Sequence, residues 1–503
     1  MNIKRAKQEI KDSIEAYLAK DEFGEYRIPA IRQRPILLIG PPGIGKTQIM
    51  EQIAKECKIG LVAYTITHHT RQSAVGLPFI KEKVYGDKSV SVTEYTMSEI
   101  IASVYDKMEQ TGLKEGILFI DEINCVSETL APTMLQFLQC KTFGNQRVPE
   151  GWVIVTAGNP PEYNKSVREF DVVTMDRIKR IDVNADFEVW KEYAYQQGIH
   201  AAVISYLELR KNHFYRIENT VDGKIFATAR GWEDLSQLIQ VYEVLGKTVD
   251  REVIYQYIQH RMIAKDFANY LELYYKYKED YNVEDILKGI WSPMIVQKIK
   301  RASFDEHLSI VGLLNGKLSE LFAENYFVDS FVTKVYEYMV EYKEGQDTLS
   351  IKNLLEMAMK EKETLEKAEL LTKRDSMTWK RVILFLENAV QAVKKECLSG
   401  NEAYACVKAM FELEVEKLEE QTESISKTLQ NVFDFMEAAF GESQEMVAFI
   451  TELNANYYSI WFIKENGSDQ YYRYNKGLLF DERHKALTGQ MDAMEELLNK
   501  GIR

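Results

Sequence analysis

An α/β core with a parallel five-stranded sheet, followed by an all-α lid and a long α-helical C-terminal region, is the fold that three features of this 503-residue chain predict. The glycine-rich stretch GPPGIGKT at 40–47 stands between an apolar run and an amphipathic one, in the order strand, loop, helix. The short apolar runs LVAYTIT, GILFID and GWVIVTAG each end on small or polar residues, as buried parallel strands do where their carboxyl ends meet a ligand. Beyond about residue 186 the pattern turns helical, and beyond 275 it is rich in Glu, Lys, Leu and Tyr with almost no proline.

Length alone suggests about three domains. The boundaries expected are an N-terminal helix at 1–30, the α/β core with two hairpin insertions at 31–185, a helical lid at 186–275 and a helical C-terminal region at 276–503, part of it resembling a coiled coil. The balance of 63 basic against 77 acidic residues, a net charge of -14, would repel a phosphate backbone, so nucleic acid is an unfavoured partner. The five cysteines, Cys57, Cys125, Cys140, Cys397 and Cys406, form no CxxC pair and suit a reducing compartment, which makes the cytoplasm the expected location. The opening MNIKRAKQEIKDSIEAYLAK lacks the apolar centre of a signal peptide, and no stretch approaches the roughly 18 apolar residues of a membrane helix, so no membrane insertion is expected.

The first strand is PILLIG, and the helix after the loop is TQIMEQIAKECKIG, ending on Gly60. Between them a glycine-rich backbone turns several N–H groups toward one point, and the helix start adds its positive dipole end, which together cradle phosphates. Gly40, Pro41, Pro42, Gly43, Ile44, Gly45, Lys46, Thr47 and Gln48 are the residues expected to hold a nucleotide. Lys46 reaches the β and γ phosphates of ATP, and the Thr47 hydroxyl ligates Mg²⁺. GILFIDEIN at 116–124 carries the chain through the sheet and releases Asp121 to hold the metal through water and Glu122 to orient or deprotonate an attacking water. GWVIVTAGNP at 151–160 ends in Asn159, whose amide is placed to hold that water against the γ phosphate.

Taken in order, GPPGIGKT, LFIDEIN, TAGNP and TMDRIKRIDV resemble the AAA+ ATPases, and within them the MoxR-like proteins of the helix-two-insert group. DEINCVSETLAPTMLQFLQ is similar to that group's DEIN followed by an amphipathic helix, and EFDVVTMDRIKRI to its acid-rich approach to an LDRF motif, with Met175 in place of leucine and Ile178 in place of phenylalanine. The resemblance covers roughly residues 30 to 275 and implies a P-loop NTPase core in a homo-oligomeric ring, usually a hexamer, with ATP sites shared between neighbours. It makes Arg177 the arginine finger, with Arg180 in reserve, and places Arg230 of FATARGWEDLSQLIQVYE on the second sensor helix, where Ala229 stands in for the usual proline. It also implies a protein client that is remodelled or matured, chaperone-like, with a von Willebrand factor A domain protein as partner. A nucleic-acid motor and an ATP-gated assembly scaffold are the alternatives; the charge argues against the first, and the presence of Glu122 and Arg177 against the second.

Two hairpins are expected inside the core. AVGLPFIKEKVYGDKSVSVTEYT turns at Gly86 and Asp87, and KTFGNQRVPEGW turns at Gly144 and Asn145. The resemblance has such hairpins face the pore or a partner. His68 and His69 end the second strand with no evident third metal ligand, so they read as a polar loop. In the C-terminal region Phe411, Val415, Leu418, Thr422, Ile425, Leu429, Val432 and Met436 form a heptad seam that only Thr422 interrupts, which calls for a long helix with a helical partner. The aromatic run through Tyr457, Tyr458, Trp461, Phe462, Tyr471, Tyr472 and Tyr474 reads as helical core packing rather than a stacking platform for single strands. This region is expected to serve client or partner attachment.

Overall fold

The computed structural model describes residues 1–476 apart from 87, 144–145, 164–166, 168–169, 222, 345–349 and 368–370. It resolves into two compact units, both discontinuous in sequence. Met1–Val189, Thr228–Arg230 and Lys352–Ile383 form the first, and Trp190–Ala227, Gly231–Ile351 and the described residues from Leu384 onward form the second.

The first unit opens with α1 (Ile3–Leu18), capped by the Asn2 side chain and burying Ala6, Ile10 and Ile14. It then alternates strands with crossover helices: β1 (Ile36–Ile39), α2 (Lys46–Cys57), β2 (Gly60–Thr65), the short α3 (Arg71–Val75), the hairpin β3 (Pro78–Tyr85) and β4 (Lys88–Tyr95), α4 (Glu99–Thr111) and β5 (Gly116–Asp121). After these come α5 (Ala131–Cys140), the small hairpin β6 (Thr142–Phe143) and β7 (Gln146–Arg147), β8 (Trp152–Gly158), α6 (Val172–Met175) and β9 (Lys179–Asp182); α7 (Phe187–Gln197) begins in this unit, and from Trp190 onward it belongs to the second. Five strands pair in the order β2-β5-β8-β1-β9, all parallel. Parallel neighbours need crossovers that cover both faces, so these strands read as unbroken apolar runs; Ile36, Leu38 and Ile117 through Ile120 are wholly buried. That is the five-stranded parallel core expected from the sequence.

The N-terminal helix is fastened to the edge strand. The Lys179 ammonium donates to Glu9 at 2.6 Å and to the Ser13 hydroxyl at 2.7 Å, and the terminal ammonium donates to the Asp182 carbonyl at 2.7 Å. The expected first hairpin is present, with β3 and β4 in antiparallel register from Pro78↔Tyr95 to Tyr85↔Lys88. Its base closes at Gly76, whose φ is +96° and where a Cβ would lie 2.0 Å from the Thr96 carbonyl oxygen, so only glycine fits. Asp87, expected in its turn, lies outside the described residues, as do Gly144 and Asn145 of the second hairpin, whose arms pair Phe143 with Gln146.

The second unit contains α8 (Ala201–Leu209), β10 (Arg216–Thr220) and β11 (Gly223–Ala227), most of α9 (Ala229–Val244), then α10 (Arg251–Tyr257), α11 (Arg261–Asp280), α12 (Val283–Leu287), α13 (Pro293–Lys300) and the 41-residue α14 (Phe304–Glu344). α15 (Ile351–Lys367) and the start of α16 (Lys373–Lys395) belong to the first unit; α17 (Gly400–Ala439), α18 (Gln444–Ala455) and α19 (Tyr457–Asn466) complete the second. The expectation of an all-α lid needs correction, because β10 and β11 form an antiparallel hairpin from Arg216↔Ala227 to Thr220↔Gly223. Gly223, which opens β11 opposite Thr220, takes a φ of +129°, a conformation that favours glycine. Among the described residues no helix is long and apolar enough to cross a membrane.

The heptad seam finds its partner in α14. Ile425, Leu429, Val432 and Met436 are buried, while the earlier positions of the seam are partly exposed. Thr422, its one polar member, accepts from the buried Asn325 amide at 3.0 Å, so one polar residue answers another across the pair. The first part of the aromatic run also packs onto α14, while Tyr474 stacks on Phe433 of α17. Phe462 stacks near Phe322 with ring centroids 4.8 Å apart, and Tyr326 is surrounded by Tyr457, Tyr458 and Trp461 at 5.7, 5.3 and 5.0 Å.

Candidate active site

The carboxyl ends of β1, β5 and β8 lie side by side, and the loop leaving β1 closes over them. Gly43 and Gly45 take φ of +74° and +89°, left-handed values that let the backbone wrap without a Cβ penalty. Gly45 is also the N-cap of α2 and supplies no side-chain hydrogen bond, so the first N–H groups of that helix are left for an anion. Lys46 follows at once. The residue is 8% exposed, and its ammonium donates to the Gly40 and Pro41 carbonyls at 2.8 Å each and to Asn159 Oδ1 at 2.9 Å, joining the loop to the end of β8. Burial pushes its pKa down to about 8; Asp121 and Glu122 oppose that shift and Arg230 adds to it.

Thr47 Oγ1 donates to Asp121 Oδ2 at 3.2 Å. A hydroxyl and a carboxylate so placed are hard oxygen donors that fit a divalent cation such as Mg²⁺. Among the described residues no group of three or more His, Cys, Asp or Glu gathers to hold a metal. His69 stands 3.8 Å from Glu99 and edge-on to the Tyr64 ring.

Glu122 has a φ of +57°, an uncommon conformation for a residue with a Cβ and one that concentrates at functional sites. Three contacts hold the turn there. The Glu122 N–H donates to Asp121 Oδ1 at 2.8 Å, the Ile123 N–H to the Ala157 carbonyl at 2.9 Å, and the Thr67 hydroxyl, just beyond β2, to Glu122 Oε2 at 2.8 Å. Asn124 then brackets the backbone of Asn159: its amide donates to the Asn159 carbonyl at 2.8 Å and its Oδ1 accepts from the Asn159 N–H at 3.3 Å. A Cβ on Gly158 would lie 2.5 Å from Asn124 Oδ1, so the small residue before Asn159 makes room for that clamp.

The structure therefore brings together Lys46, Thr47, Asp121, Glu122 and Asn159. Arg230 joins them through Thr228–Arg230, which returns to the first unit: a Cβ on Gly43 would lie 3.4 Å from Arg230 Cβ and 3.6 Å from Thr228 Cβ. Arg177 stands apart, exposed, donating to Gln139 of α5 at 2.7 Å, and Arg180 faces Asp182 at 2.8 Å. Sequence reasoning did not single out Thr67, Asn124 or Thr228. Asn124 carried a signal, as the fourth residue of DEIN; Thr67 and Thr228 are ordinary residues whose roles depend on which strand ends the fold places together.

Residues 36–177 match the model of the ATPase family associated with various cellular activities (AAA). No curated protein matches the chain. Among solved structures, one described as "a putative ATPase" from Cytophaga hutchinsonii aligns at 17% identity over 36% of this chain, with a TM-score of 0.20. The alignment spans about half of that structure, 51% of its length.

Proposed function

We propose, taking the AAA ATPase domain at residues 36–177 as premise, that this chain is a Mg²⁺-dependent ATPase of the MoxR type that works as a ring on a protein client. The observation that carries the reading is the convergence of Lys46, Thr47, Asp121, Glu122 and Asn159 on one strand-end cleft, each side chain pinned by a named contact. Mg²⁺ at Thr47 and Asp121 would neutralise phosphate charge. Lys46 exchanges its two loop carbonyls for the β and γ phosphate oxygens. Glu122 leaves the Thr67 hydroxyl to take a proton from the attacking water, which Asn159, fixed by Asn124, holds in line.

Arg177 is exposed and apart from the cleft of its own subunit, which suits a finger that completes a neighbour's site. A finger of this kind contributes on the order of 10³ to 10⁵ in rate, about 4 to 7 kcal/mol. The MoxR assignment, the six-membered ring, the client and the von Willebrand factor A domain partner rest on the sequence resemblance of GPPGIGKT, DEIN, TAGNP and TMDRIKRIDV. The net charge of -14 favours a protein client over nucleic acid.

Two substitutions test the site. Glu122→Gln keeps the cradle and the metal ligand and should bind Mg-ATP while turning over at least a hundredfold more slowly. Lys46→Ala should lose nucleotide binding itself. Phosphate release by Glu122→Gln near the wild-type rate, or undiminished ATP affinity in Lys46→Ala, would remove those residues from the roles given to them.

A further inference from the structure

Arg177 is exposed, yet its side chain is held. The guanidinium donates to Gln139 Oε1 at 2.7 Å, and Gln139, in the last turn of α5, donates its own amide N–H to the Thr174 hydroxyl at 3.5 Å. Thr174 is wholly buried. Its N–H donates to Asp171, the N-cap of α6, at 2.7 Å, and its carbonyl accepts from the Arg177 N–H at 3.0 Å. Both side-chain hydrogen bonds of Gln139 thus run to the segment 174–177, one to the tip of Arg177 and one to the turn from which it springs. Beneath that turn, Ile178 is buried in one core with Met134, Phe137 and Leu138 of α5, so the two segments share a packed base.

The two arginines of DRIKR have partners of different kinds. Arg180 lies beside the Asp182 carboxylate at 2.8 Å, a partner that cancels its charge. Arg177 meets a neutral amide, which orients the guanidinium while leaving its charge and its other N–H donors to an incoming phosphate. A long side chain that enters a neighbouring site has to give up its rotamer freedom there. One already held at its tip has given up part of it beforehand.

We propose that Gln139 is a positioning residue for ATP turnover, which pre-orders Arg177 for the γ phosphate of a neighbouring subunit. This role presupposes that Arg177 acts in trans, as proposed above.

The test puts one substitution on either side of a shared site. Full-length Lys46→Ala subunits supply fingers without a cradle, Arg177→Ala subunits supply cradles without a finger, and the two are mixed in equal amounts. Gln139→Met keeps the length of the side chain and suits a helix, but it offers the guanidinium no oxygen. Added to the Lys46→Ala subunit, it should lower the ATP turnover of the mixture about three- to tenfold with KM for ATP unchanged. Added instead to the Arg177→Ala subunit, where no finger remains to be held, it should change that turnover less than twofold. A general loss of folding or assembly would lower both mixtures alike, so the contrast between them reports positioning, and Gln139→Ala should reproduce it. Equal turnover in the two mixtures, whether both full or both reduced, overturns the role of Gln139 and leaves the shared site standing. A parent mixture, with Gln139 intact in both subunits, that stays inactive overturns the shared site and the role of Gln139 together.

Discussion

Lys46 donates to two carbonyls of its own loop and to Asn159, and burial holds its pKa at about 8 against an ordinary lysine near 10.5. A depressed lysine is charged below that value and neutral above it, and only the charged form meets phosphate oxygens. ATP affinity should therefore be level up to about pH 8 and fall by up to about tenfold per pH unit above it, where an exposed lysine would hold to beyond pH 10. Nucleotide titrations at pH 7 and pH 9 measure this; equal affinities would contradict a buried, readily neutralised ammonium. For stability the sign is the reverse. The folded chain sheds this proton before the unfolded chain does, so the penalty for burying the charge is relieved as pH rises from about 8 toward 10.5. Asn124 works through another residue, clamping the backbone of Asn159 with two hydrogen bonds. Asn124→Ala leaves the Asn159 carbonyl without that partner, at a stability cost of about 1–3 kcal/mol. If Asn159 positions the attacking water as proposed, the substitution should lower kcat by tenfold or more with KM nearly unchanged, because that side chain is loosened while the glycine-rich loop is untouched. A change confined to KM would assign Asn124 to binding instead.

At the scale of elements, how much was legible depended on how local the contacts are. PILLIG, GILFID and GWVIVTAG could be read as strands because a sheet covered on both faces leaves no polar position, and at their carboxyl ends Lys46 meets Asn159 and Thr47 meets Asp121. The hairpin of β10 and β11 was missed because it sits inside a stretch whose flanks are helical. Nothing local could reveal that Thr422 meets Asn325, since the two lie far apart in sequence and the pairing exists only once α14 and α17 are side by side. That pairing yields a prediction. Thr422→Val strands the buried Asn325 amide and should cost about 1–3 kcal/mol, whereas Thr422→Val combined with Asn325→Leu should recover most of the loss by making the seam wholly apolar. Urea midpoints followed by helical circular dichroism report both; a double variant no more stable than the single one would mean that the hydrogen bond does not hold the seam.

The whole molecule is two units threaded through one another in sequence, with Thr228–Arg230 and Lys352–Ile383 returning to the first unit from within the segments that build the other. α8 packs on α14 through Ser205 against Gly312 and Ala201 against Gly316, so helices from before and after residue 275 share one core in the second unit. A chain cut near 275 should therefore expose the apolar face of α8 and aggregate. A soluble, monodisperse fragment 1–275 would show that this core is dispensable. The most direct test of a shared, hydrolysing site is to mix two inactive variants. Arg177→Ala retains the phosphate cradle and lacks the finger; Lys46→Ala retains the finger and lacks the cradle. If the finger acts on a neighbour, the mixture should regain a substantial fraction of wild-type ATP turnover, and wild-type turnover per subunit should climb with protein concentration. A mixture as inactive as its components, together with wild-type turnover per subunit that is flat with concentration, would contradict the account.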